Sequence, residues 1–203
     1  MKIYILGEVL EYENRKDNID NIFDKINRKV SASNLILSHL IVDEYELYND
    51  FYDYFLDNIK HIEEIKVVTK TIIETSREVI LCTMNYVEKM IPGTEILSYE
   101  FYKVPDEDSW NRLANLIEGI NWIIDGFVSI DLSMELKNIV NNYEQWNLYA
   151  KNIYLLREIL IEFEQIFENG DLISIADILF YEMVPIFEDM EERLEKIIGE
   201  YIF

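Results

Sequence analysis

WNLYAKNIYLLREILIEFEQIFENGDLISIADILFYEMVPIFEDMEERLEKII, residues 146–198, is one long apolar rhythm broken once, at Asn169-Gly170. Before the break, and reaching back to about Leu132, apolar residues recur at Leu136, Val140, Tyr143, Trp146, Ala150, Ile153, Leu156, Leu160, Phe163 and Phe167. Steps of three and four keep side chains on one face of an α-helix. After the break the same steps run through Leu172, Ile175, Leu179, Met183, Ile186, Met190, Leu194, Ile197 and Tyr201. Gly170 supplies the left-handed closing conformation, and the Asp171 carboxylate stands where the next helix begins. The stretch therefore predicts a helical hairpin from Leu132 to Phe203, whose two stripes must cover each other or a third partner. Asn141-Asn142 leaves open whether residues 132–168 are one helix or two.

Working back towards the N-terminus, Ile73, Ser76, Ile80, Thr83, Val87 and Met90 predict a helix over 72–91, stopped by Pro92-Gly93 because proline lacks the donor for the next bond. Thr94 to Lys103 reads as a short acidic connection. Pro105-Asp106-Glu107-Asp108 introduces a further helix through Trp110, Leu113, Ile117, Ile120 and Ile124, ending near Gly126. Four principal helices with short connections pack most economically as an antiparallel four-helix bundle over 71–203.

Residues 1–70 have a different texture. Strand patterns at Lys2–Leu6, at Val9, Leu10 and Tyr12, at Asn34–Val42 and at Glu64–Thr69 alternate with helical ones at Asp17–Lys29 and Asn49–Ile59, and Asp43-Glu44 turns the chain. That is the ubiquitin-like order of elements of a small αβ module. The fold expected is α+β, mostly α, with an all-α chain as the alternative.

Composition bounds the function. Half of the 203 residues are hydrophobic, enough for a sizeable core. Forty acidic against 18 basic residues give a net charge of −22, which repels phosphate backbones and argues against nucleic-acid binding. No window reaches the roughly 18 uninterrupted apolar residues of a membrane span, and Glu8 interrupts the N-terminus too early for a secretory signal, so a cytoplasmic location is expected. Cys82 is the only cysteine, which excludes an internal disulfide and reads as a small buried apolar side chain. His39 and His61 form no Glu-x-x-His pair, and His39 reads as a satisfied sheet histidine. Asp50, Asp53 and Asp57 share a helical face, but without a following glycine loop they read as a solvated face rather than a Ca²⁺ or Mg²⁺ site. The scattered glycines assemble neither a P-loop nor a dinucleotide fingerprint. No catalytic, cofactor-binding or metal residue is assigned, and no cofactor is expected.

The least ordinary stretch is Ile175-Ala176-Asp177-Ile178-Leu179-Phe180-Tyr181-Glu182-Met183-Val184-Pro185. Pro185 removes the bond to the Tyr181 carbonyl and predicts a kink. Asp177 and Glu182 are set among large apolar residues, so Asp177, Tyr181, Glu182 and Pro185 become the candidate groove for a partner's basic residue. Together with the opening Lys-Ile-Tyr-Ile-Leu-Gly and the strand ending Ile-Val-Asp-Glu, this segment resembles uncharacterised bacterial proteins that join a small N-terminal αβ module to a C-terminal helical bundle. The resemblance implies no activity.

Fourteen tyrosines, ten phenylalanines and three tryptophans beside so little catalytic vocabulary favour a non-enzymatic protein–protein interaction module, an adaptor or a chaperone-like binder. The alternatives are a carboxylate-based metal binder or enzyme and an acidic nucleic-acid mimic. The mimic draws on the charge distribution, since residues 71–203 hold 9 basic and 26 acidic residues, net −17, and residues 1–70 hold 9 and 14, net −5. The apolar ending Tyr201-Ile202-Phe203 suggests a homodimer contact.

Overall fold

The computed structural model of the protein describes residues 1–199. Two compact units divide the chain, Met1–Thr75 and the residues from Ser76 onward.

In the first unit, β1 (Lys2–Ile5), β2 (Glu8–Glu11), α1 (Ile19–Ala32), β3 (Leu35–Val42), β4 (Tyr45–Leu47), α2 (Phe51–Asn58) and β5 (Glu64–Thr71) follow one another. They form a five-stranded sheet of order β2-β1-β5-β3-β4, in which β1 and β5 are parallel and the other pairs antiparallel. This is the ubiquitin-like arrangement that the element order implies. Both hairpins close on two residues of positive φ, Leu6-Gly7 and Asp43-Glu44, whose twist matches that of the flanking strands. Asp43 tolerates its left-handed backbone while its carboxylate accepts the Glu63 and Glu64 amides, tying the turn to β5. Strand alternation sends Ile3, Ile5, Leu40, Val42 and Ile65 to one face, where Ile19, Ile22, Ile26 and Val30 of α1 bury them. The short β4 was not anticipated from the sequence, because three residues give no period to read.

Thr71 and Glu74 open the next helix with a reciprocal cap: the Thr71 amide and hydroxyl donate to the Glu74 carboxylate, and the Glu74 amide donates to the Thr71 hydroxyl. α3 (Ile72–Phe101) is followed by α4 (Glu107–Asp131), the single turn α5 (Leu136–Ile139), α6 (Tyr143–Asn169) and α7 (Leu172–Asp177). A π-helical segment (Ile178–Met183) then leads into α8 (Val184–Gly199).

Side-chain pairs show an antiparallel ring. Tyr86 of α3 lies over Gly119 of α4, and Val79 over Gly126. Phe127 of α4 stacks on Trp146 of α6 at 5.1 Å, and the Trp146 indole donates to Asp131 at 2.9 Å. Asn152 of α6 donates to Asp189 of α8 at 2.8 Å. Tyr99 of α3 meets Phe180 at 5.8 Å, closing the circuit. Paired positions run in opposite directions at every seam, which is the up-and-down bundle.

Several expectations change. Pro92-Gly93 does not stop α3, which runs on to Phe101. The lost bond is outweighed because the buried face resumes at Thr94, Leu97, Ser98 and Phe101. Gly126 lies inside α4, where a Cβ would stand 3.0 Å from Val79 Cγ1; it marks a close approach, not an end. Asn142 caps the Gln145 amide and starts α6, so residues 132–168 are interrupted. Cys82 is exposed, because the stripe through Ile80, Thr83 and Val87 turns it outward. On α6, Tyr149 and Ile159 are buried, whereas Tyr143 and Phe167 stay partly open. The Tyr201-Ile202-Phe203 ending lies outside the described residues.

Leu156 is fully buried, so Leu156→Ala is expected to destabilise the protein by roughly 2–5 kcal/mol, measured as a lowered denaturation midpoint. The caps add a pH dependence. Hydrogen bonds from Ser109 hold the Asp106 carboxyl below its usual range, and Ser174 does the same for Asp171. A depressed carboxyl stabilises above its unfolded value, and that contribution is lost as pH falls through the folded one. Denaturation at pH 7 and pH 3 should therefore show a smaller acid loss in Asp106→Asn, which keeps the cap without the charge.

Candidate functional site

The candidate site forms where the C-terminal turns of α3 meet the π-helical segment. Pro185 has no amide hydrogen to offer the Tyr181 carbonyl, and its ring crowds that turn. The helix ahead of Pro185 widens, and residues 178–183 form i→i+5 turns. Met183 and Leu179 stay buried, while Tyr181 is turned out to 67% exposure.

Around Tyr181 the aromatics gather. Phe180 meets it edge-on at 5.1 Å and faces Tyr99 at 5.8 Å. The Tyr102 hydroxyl donates to the Asp177 carboxylate. That hydrogen bond is the chief reason the Tyr102 phenol is pushed up to about 12, with desolvation next and the neighbouring Tyr181 adding to it. Of the residues marked in the sequence, Asp177 and Tyr181 are thus brought together, at Tyr102. Glu182 and Pro185 are exposed on the adjoining turn. Tyr99, Tyr102 and Phe180 were missed. The two tyrosines lie three apart on one helical side, but the sequence reading ends the helix at residue 91, eleven residues before Tyr102.

Further along the same seam, α3 and α8 present carboxylates to one another. Burial raises the Glu191 carboxyl, and the charges of Glu195, Glu88 and Glu188 raise it further. Such a group gains when a cation approaches. Elsewhere the histidine reading stands on geometry: His39 in β3 lies 3.1 Å from the Ser38 hydroxyl and stacks on Tyr48 at 4.7 Å. Asp50, Asp53 and Asp57 are exposed, and among the described residues no group of three or more His, Cys, Asp or Glu side chains is arranged to hold a metal ion. One described helix, α4, is long and apolar enough to cross a membrane by length and composition alone. Its apolar side is committed to the bundle through Leu113, Leu116, Ile120, Ile123 and Phe127.

Residues 78–193, the greater part of the bundle, match a domain of unknown function, DUF8042. The chain belongs to the DUF8042 family. Ahead of it, residues 1–71 match the TP0873 N-terminal domain, so each compact unit has its own family relationship. No curated protein and no solved structure matches the chain. The aromatic cluster lies wholly within the DUF8042 portion.

The raised Tyr102 phenol fixes a sign. A folded value above the ordinary one near 10 means that the neutral phenol is favoured, so the contribution is present below about 10 and lost as pH rises towards about 12. In an ultraviolet titration, Tyr102→Phe should remove one tyrosine from the transition near 12 and leave those nearer 10 unchanged.

Proposed function

We propose that the chain is a non-enzymatic protein–protein interaction module, adaptor-like or chaperone-like and working in the cytoplasm, that docks a basic segment of a protein partner on the α3–α8 seam. The observation that carries this reading is the cluster of exposed Tyr99, Tyr102 and Tyr181 around half-buried Phe180, beside Asp177 and Glu182. Tyrosine supplies large contact area for little conformational entropy and is enriched among residues that dominate interface energy. Lysine or arginine side chains are drawn to the faces of exposed aromatic rings, and more strongly where carboxylates stand close by. The raised Glu191 carboxyl favours a cationic partner further along the same seam. Residues 71–203, with net charge −17, would steer such a segment in from solution, more weakly as salt rises.

Affinity capture with the full chain tests this. A partner that binds the seam should be retained by Asp125→Lys, an exposed change on α4, and released by the pair Tyr181→Ser and Glu182→Lys. It should also elute at a few hundred millimolar salt, within the range where roughly 3–10 Å screening lengths apply. Partners captured equally by all variants would remove the seam from the function.

A further inference from the structure

The bundle has a second opening, independent of the aromatic cluster. Between α3 and α4 lies a cleft of about 320 Å³, with Tyr86, Met90, Gly93, Thr94 and Leu97 on one wall and Arg112, Asn115 and Leu116 on the other. Thr94, Leu97 and Leu116 form a buried floor, while Gly93 and Asn115 stand exposed at the rim. Its size is at the lower end of small-molecule sites.

Two observations separate it from a packing fault. The first is Thr94, which is 1% exposed and whose hydroxyl has no hydrogen-bond partner among the described residues. The other buried hydroxyls nearby are satisfied by their own helix: Thr83 donates to the Val79 carbonyl and Ser98 to the Glu95 carbonyl. A buried hydroxyl left without a partner is costly, and a ligand group reaching it relieves that cost. The second is Gly93. Gly119 and Gly126 are required by Tyr86 and Val79, whereas a Cβ on Gly93 would touch only Met90 Cε, at an ordinary 3.9 Å. Helix-interior glycine is unfavourable, and here its effect is to leave the cleft wall open.

Charge defines the ligand. Arg112 Nη2 binds Glu100 at 2.5 Å, and its Nε lies 3.1 Å from Asp108 as an ion pair without hydrogen-bond alignment. Two carboxylates already answer the guanidinium, so it has no call for a ligand anion. We infer that the α3–α4 cleft binds a small uncharged molecule, mainly apolar and carrying one hydrogen-bonding group that reaches the Thr94 hydroxyl.

The test uses the full chain labelled at methionine methyls, with Met90 assigned by Met90→Leu, and three probes of one size: p-cresol, toluene and benzoate. p-Cresol should shift the Met90 methyl saturably, and benzoate should bind at least about tenfold more weakly because no free cation awaits it. Gly93→Leu, which fills the cleft, should abolish the shift. Thr94→Val should weaken p-cresol by about fivefold while leaving toluene unchanged, a split that loss of structure alone does not produce. A Met90 methyl indifferent to p-cresol, or a Gly93→Leu protein that folds and binds as well as the parent, overturns the assignment. An equal loss of p-cresol and toluene in Thr94→Val overturns the role of the hydroxyl, and that variant decides the matter if Gly93→Leu does not fold.

Discussion

The structure of the second unit depends on the register between α6 and α8. Their apolar stripes would tolerate sliding by a turn, since one helical repeat of leucine and isoleucine resembles the next. The polar residues do not tolerate it. Asn152, buried among Ile153 and Leu156, donates to Asp189, which is also held by Arg193 at 2.6 Å, and Arg193 reaches Gln145 on α6 at 3.3 Å. Shifting the helices would leave the buried Asn152 amide without its partner and separate Arg193 from Gln145, a larger loss than any gain from sliding. The Arg193 and Asn152 hydrogen bonds hold the Asp189 carboxyl below its usual range. With that seam set, α4 is placed by Trp146 against Phe127 and Asp131, and α3 by the glycines of α4.

Both surface features arise where helical regularity yields. At Gly93 the helix continues without a side chain on the cleft wall, and over residues 178–183, ahead of Pro185, it widens and turns Tyr181 outward. A regular amphipathic helix presents a polar outer face and offers little to bind. Local departures are retained only when the surrounding packing holds them, and here α3 and α8 are each anchored on both sides of the irregularity. Val87 and Leu97 flank the first, and Ile175 and Phe187 the second.

Much of this was legible in the sequence. The turns at Asn169-Gly170 and Asp43-Glu44, the pairing of the first strand with Val9 and Leu10, and the stripes of α6 and α8 each rest on residues whose chemistry is local. What was not legible is instructive. The C-terminal third of α3 was lost because Pro92-Gly93 reads as a stop, although the buried face resumes beyond it at Thr94, Leu97, Ser98 and Phe101. Gly126 was read as a stop because sequence cannot distinguish a glycine needed for backbone freedom from one needed for space. Tyr102 and Asp177 are 75 residues apart, and no local pattern announces their hydrogen bond.

The π-helical segment, by contrast, had a signal that went unread. Ile175, Leu179, Met183 and Phe187 are all buried, at three successive steps of four. At 3.6 residues per turn each such step overshoots by about 40°, so a regular helix would carry the last residue about 120° from the first. They remain on one buried side only if the helix between them is unwound, which i→i+5 turns accomplish. Downstream the steps revert to three and four at Met190, Leu194 and Ile197, and so does the α-helix. Spacing therefore placed the distortion, and Pro185 supplied a reason for it. The side chains displaced outward by that unwinding, Tyr181 and Glu182, are the ones on which recognition by a basic partner is argued.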